Sequence, residues 1–113
     1  VTDSGTTHVS VVDRFGNAVA LTSTINTPFG SKLVSKSTGI VLNNQMDDFS
    51  VPNEPNHYGL TSAPANFIRA GKKPLSSMSP TIVLDTPKDS SRPPKVIAVL
   101  GASGGPRIIT AVA

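Results

Sequence analysis

The chain has 113 residues with ten prolines, nine glycines, no cysteine and no tryptophan, and only 4% of it is aromatic. That length is one small domain or part of a larger one, its core would be aliphatic, and disulfides are excluded. The formal charge of +3 sits in loop-like segments without interleaved aromatics, a solvated surface rather than a nucleic-acid site, and no apolar run is long enough to span a membrane as a helix.

Residues 7–12 and 18–24 are rich in β-branched side chains and read as two strands. Residues 13–17 between them have the composition of a tight turn, with Gly16 and Asn17 able to take positive φ. A hairpin pivoting near Phe15 sets Thr6 opposite Thr24, so that the two hydroxyls can hydrogen-bond. Alternation carries Asn26 to the face of Thr24 if the strand runs that far, and a one-residue slip would undo the arrangement. A threonine after Gly5 at the head of a strand is where a self-cleaving hydrolase places its nucleophile. Once the Gly5–Thr6 bond is cut, Thr6 carries an α-amine of pKa about 7.7–8.0 beside its own hydroxyl. His8 falls on the face of Thr6, within possible reach, but the amine is the expected base.

Residues 43–48, Asn-Asn-Gln-Met-Asp-Asp, read alone as a polar surface loop. Residues 50–80 are loop-rich, and His57 lies there with no assigned role. Ser76 and Ser77 stand just ahead of a strand-like run at 81–84, and residues 85–95 read as a hairpin loop between two buried strands. Residues 96–100 form the second of these, followed by a glycine-rich turn and a helix whose first residues include Pro106. Adjacent glycines let backbone N–H groups converge as an oxyanion hole requires, each donor being worth about 3–4 kcal/mol. A nucleotide-phosphate loop fails on spacing, since neither G-x-G-x-x-G nor Gly-Lys-Ser/Thr is present. No histidine and carboxylate grouping has a zinc-ligand spacing, and no cofactor is expected.

The strings TTHVSVVDRFGNAVALTSTIN, FGS, STGIVLNNQMDDFS, PLSSMSPTIV and GASGGPRIIT occur in this order over most of residues 6–109. Together they resemble the small subunit of the γ-glutamyltranspeptidase (glutathione hydrolase) family. The resemblance implies an α+β fold, part of the four-layer αββα sandwich of N-terminal nucleophile hydrolases, mostly β-strand in this segment. It implies a precursor that cuts itself before a threonine, a large-subunit partner, and γ-glutamyl transfer from glutathione to water or to amino acid or dipeptide acceptors.

By that resemblance Thr6 matches the nucleophile, Thr24 the threonine that hydrogen-bonds it, and Gly104 and Gly105 the oxyanion-hole glycines. Asn26, Gln45 and Asp48 match positions that hold the α-amino and α-carboxylate end of the glutamyl group, and Ser76 and Ser77 the serine pair at the substrate carboxylate. Asp48, which only accepts, suits the ammonium, and Asn26 and Gln45 can donate or accept. Several relatives carry glutamate where this chain has Gln45, which changes the charge presented to the substrate.

Residues 1–5 are expected to be a segment upstream of the cut and residues 6–113 a small-subunit domain truncated at its C-terminus. With Thr6 still an amide, the chain as written is a precursor form, expected to be inactive alone and poorly stable or self-associating. The large subunit would supply an arginine for the substrate carboxylate. Export or membrane anchoring is expected from the family only. A non-catalytic fragment that keeps the binding site, or a different amidohydrolase of the same fold, are the competing expectations.

Overall fold

β-Branched residues set the first elements: β1 (Thr6–Val12) and β2 (Ala18–Thr24) pair antiparallel with Thr6 opposite Thr24 and Val12 opposite Ala18. The structure, a computed structural model, describes residues 5–89 and 91–113, so residues 1–4 of the expected upstream segment lie outside the described residues. The hairpin closes through a three-residue loop bounded by the Asp13 N–H to Asn17 C=O bond of 3.0 Å, with Gly16 at φ 85°. Asn17 does not take the positive φ expected of it. Its side-chain and backbone N–H groups instead donate to the Asp13 carboxylate at 2.7 and 2.9 Å, and the Phe15 N–H adds a third bond at 2.8 Å. The Asn17 amide is the main cause that holds the Asp13 carboxyl below its ordinary range.

A second hairpin joins β3 (Thr81–Asp85) to β4 (Lys95–Leu100), antiparallel, with a bulge between Val83 and Leu84. It meets the first hairpin through an imidazole. His8 is held on its strand by Thr22 Oγ1 at 2.8 Å and Ser10 Oγ at 3.0 Å. Its ring lies on the backbone of Gly101, where any Cβ would fall 2.0–2.4 Å from ring atoms. A side chain at position 101 would therefore displace the imidazole from this seat.

Between the hairpins the chain is irregular, with short 3-10 turns at Gln45–Asp48 and Pro64–Asn66. After β4 comes a 3-10 turn, Gly105–Arg107, and one helix turn, α1 (Ile108–Val112), so Pro106 does open the helical segment.

Only Phe49 and Ile108 are buried apolar side chains among the described residues. The strands β3 and β4 carry apolar faces of the kind a buried strand has, yet Ile82, Leu84, Ile97 and Leu100 are exposed, because no layer lies over them among the described residues; this missing cover is the reason for the expected poor stability. The first hairpin is two-faced. Thr6, His8, Thr22 and Thr24 share one side, while the cross-strand pairs Val9–Leu21 and Val11–Val19 stand on the other at 47–57% exposure. The radius of gyration is 17.8 Å, against about 13 Å for a compact domain of this length.

With so little apolar surface removed from water, the 113-residue chain alone should melt without a cooperative transition and bind a hydrophobic dye at ambient temperature. Calorimetry of the dilute monomer checks this; a sharp, two-state endotherm would contradict it.

Candidate functional site

The site is built where β1 begins and β2 ends. Their register brings Thr6 Oγ1 to 2.8 Å from Thr24 Oγ1. Thr24 Oγ1 also accepts the Asn26 N–H at 2.9 Å and lies 3.2 Å from the Gly5 carbonyl oxygen. That same oxygen accepts the Ile25 N–H at 3.0 Å, which prolongs the ladder one residue past the strand. His8, although on the face of Thr6, turns to Thr22 and Ser10.

Asn26 reaches the site by a route that alternation does not describe. The strand stops at Thr24, and Asn26 turns into left-handed space at φ 74°, a conformation asparagine tolerates better than most residues. It is only 3% exposed. Its Nδ2 donates to Asn44 C=O at 3.2 Å, and its Oδ1 accepts the Tyr58 hydroxyl at 2.8 Å. Asn44 is itself fixed, its Oδ1 accepting the backbone N–H and hydroxyl of Thr27 at 3.2 and 3.1 Å.

From Asn44 the chain enters the 3-10 turn that carries Gln45 and Asp48. The Gln45 side-chain amide donates to the Asp48 carboxylate. Burial pushes the Asp48 carboxyl above its ordinary value, bonds from Gln45 and Asn26 oppose the shift, and the neighbouring Asp47 charge reinforces it. The loop is thus a half-buried carboxylate held by amides, ready for a cation.

Sequence reasoning missed Tyr58. Asn56 organises its loop: Asn56 Oδ1 accepts the Tyr58 and Leu60 N–H groups at 3.0 and 2.9 Å, and Gly59 takes φ 74°. The ring then spans the site from Asn26 to Gly105, and a Cβ on Gly105 would fall 2.9 Å from it. Burial, and behind it the Asp48 charge, raises the Tyr58 hydroxyl, so it stays a donor at neutral pH. The available signal was that Tyr58 is the single tyrosine of the chain and carries a polar tip that a buried ring must satisfy. His57, beside it, makes an edge-on ring contact with Tyr58 at 5.1 Å.

Ser76 and Ser77 arrive from the far side. Asn66 sets their position, donating to Asp48 C=O at 2.7 Å and accepting the Leu75 N–H at 2.9 Å. Ser76 Oγ accepts the Met78 N–H at 3.1 Å.

Thr6, Thr24, Asn26, Gln45 and Asp48 line one cavity of about 110 Å³, which Ser76, Ser77, Tyr58 and Gly105 complete. Gly104 is the one expected site residue that does not line it. Gly104 sits at φ 134° and Gly105 at φ 59°. Both conformations lie in the left-handed region that favours glycine, and Gly104 directly precedes the cavity-lining Gly105.

Removing the Tyr58 hydroxyl leaves the buried Asn26 Oδ1 without its donor, at a cost of about 1–3 kcal/mol. In the complete protein, Tyr58→Phe should speed amide hydrogen exchange of residues 56–60 about tenfold, read by mass spectrometry. Unchanged exchange would show that the bond does not hold the loop.

The family model for Gamma-glutamyltranspeptidase matches residues 1–113. The glutathione hydrolase proenzyme of Escherichia coli strain K12 is 56% identical over 108 residues, covering 95% of this chain and 17% of the relative. Glutathione hydrolase 2 of Arabidopsis thaliana is 57% identical over 111 residues, covering 96% and 18%. A crystal structure of a mutant Helicobacter pylori γ-glutamyltranspeptidase matches with TM-score 0.83 at 54% identity, covering 94% of this chain and 54% of that one. A γ-glutamyltranspeptidase inhibited by acivicin matches at 0.81 and 54%, covering 92% and 52%. The chain thus spans about a sixth of these two curated relatives and about half of the solved chains. With the motifs in order and the whole of its length matched, the chain belongs to the γ-glutamyltranspeptidase family.

Proposed function

We propose that the protein carrying this chain hydrolyses or transfers the γ-glutamyl group of glutathione and related compounds through a threonyl ester on Thr6. The observation that carries this reading is the meeting, in one small cavity, of the Thr6–Thr24 hydroxyl pair with the Asp48 carboxylate. A nucleophile and an ammonium-binding anion on the wall of one cavity are what a γ-linked amino acid needs: one end is anchored by its α-amine while the distant acyl carbon is attacked.

Self-cleavage between Gly5 and Thr6 comes first in this reading, with residues 1–5 as the upstream segment and residues 6–113 as part of the small subunit. It frees the Thr6 amine, which then serves as base for the Thr6 hydroxyl. Thr24 orients that hydroxyl, and Asp48, Gln45 and Asn26 hold the α-amino and α-carboxylate end. Ser76 and Ser77 donate to the carboxylate, and the Gly104–Gly105 backbone stabilises the oxyanion. Water or an amino acid or dipeptide amine then releases the glutamyl group. The names of the relatives, glutathione hydrolase proenzymes among them, support the reaction and the maturation step. A large subunit of the same precursor completes the site and, with the strands described here, a four-layer αββα sandwich. The exposed Val9, Val11, Val19 and Leu21 face suits burial beneath such a layer.

In the complete protein, Thr6→Ala should abolish both precursor cleavage and turnover of a γ-glutamyl anilide. Substantial turnover in that variant would overturn the assignment.

Burial raises the Asp48 carboxyl, so it takes up a proton at a higher pH than the ordinary value of about 3.9. Only the ionised form attracts an ammonium. Affinity for glutamate should therefore be level at neutral pH and fall as pH drops through the raised Asp48 value, about tenfold per unit below it. Calorimetric titration across pH checks this; affinity that holds constant down to the ordinary aspartate range would contradict it.

A further inference from the structure

We propose that Thr24 is the proton relay of self-cleavage, carrying the Thr6 hydroxyl proton to the carbonyl oxygen of Gly5; this rests on the self-cleavage reading above. Before the cut, the Thr6 nitrogen is an amide and has no basic lone pair. The first reaction of the precursor therefore lacks the base that the mature site would use. The hydrogen bonds around Thr24 supply a substitute.

A hydroxyl has one proton and two lone pairs. The Gly5 carbonyl can only accept, so in the 3.2 Å contact Thr24 is the donor. The Asn26 N–H fills one Thr24 lone pair at 2.9 Å. What remains is the second lone pair, and the only proton available for the 2.8 Å contact is that of Thr6. The direction of the chain is fixed: Thr6 O–H to Thr24 Oγ1, Thr24 O–H to Gly5 C=O. The Ile25 N–H, 3.0 Å from the same carbonyl oxygen, is a second donor there, so charge developing on that oxygen meets two donors.

As Thr6 Oγ1 bonds to the Gly5 carbonyl carbon, the π pair moves to the Gly5 oxygen. That oxygen takes the Thr24 proton while Thr24 takes the Thr6 proton. The product is a neutral tetrahedral adduct, and Thr24 ends as it began. Collapse re-forms C=O, breaks the C–N bond and moves the adduct's hydroxyl proton to the Thr6 nitrogen, giving an ester and a free amine. Water then hydrolyses the ester, leaving a carboxyl on Gly5 and the hydroxyl on Thr6. With the Gly5 carbonyl gone, the Thr24 proton is free to turn toward Thr6 Oγ1. The bond that served as acceptor during maturation becomes a donor to the mature nucleophile. Gly105, on the cavity wall beyond Tyr58, is left for the second reaction.

The test follows cleavage of the complete precursor, made by cell-free translation, by gel and intact mass. Thr24→Val keeps the shape without the hydroxyl and should slow cleavage a hundredfold or more, in the range typical of a lost acid–base group; Thr24→Ser should stay within tenfold of wild type. Because Thr24→Val also removes the acceptor for Asn26 N–H, the second measurement uses the Thr24→Ser precursor, with its intact relay, in mixtures of light and heavy water. Two protons in flight give a bowed dependence of rate on deuterium fraction, which a merely structural hydroxyl would not. Near wild-type cleavage in Thr24→Val, or a linear dependence, overturns the relay while leaving self-cleavage intact. Cleavage before residue 6 that persists in Thr6→Ala overturns the self-cleavage reading itself, as does an intact wild-type precursor.

Discussion

The pairing of Thr6 with Thr24 across one antiparallel ladder is the constraint on which the rest of the site depends. Strand side chains repeat every two residues, so a slip of one position would turn Thr6 to the face of Val9 and Val11 and send Thr24 away from it. The Asp13 turn prevents this. Its carboxylate holds three N–H groups, and Gly16 absorbs the left-handed residue that a three-residue loop needs. A polar network at the exposed tip of the hairpin thereby fixes a hydroxyl contact at its other end.

From Thr24 outward, the site is a succession of satisfied polar groups. Asn26 leaves strand geometry, and its unfavourable φ is held by bonds to Thr24, Asn44 and Tyr58. Asn66 performs the same service between the Asp48 backbone and the segment leading to Ser76. Such networks give precision without a large apolar core, which this chain lacks: Phe49 and Ile108 are its buried apolar residues among those described. The imidazole of His8 lies against Gly101, where the nucleophile hairpin meets the end of the strand that leads into the glycine turn.

Both hairpins, the Thr6–Thr24 contact and the glycine turn were legible because each rests on local chemistry: β-branched runs, a Gly-containing turn and period-2 alternation. The gathering of Gln45, Asp48, Ser76 and Ser77 was not, since a polar loop and a proline-flanked serine pair look the same whether they face solvent or a cavity; only the family resemblance pointed to them. Asn26 was placed on the right side for the wrong physical reason, as a strand residue rather than a left-handed one. Tyr58 was overlooked because its contacts to Asn26 and Gly105 are distant in sequence. The exposure of Ile82, Leu84 and Ile97 follows from apolar runs that read as strands made for burial in a chain whose described residues provide no cover for them.

The account turns on Thr6 becoming an N-terminal residue. The measurement that tests this most directly is N-terminal sequencing of the small chain from the mature protein. The account predicts that it begins Thr-Thr-His-Val-Ser, at Thr6. A small chain that starts at any other residue would contradict it, because Thr6 would then have no amine to activate its hydroxyl.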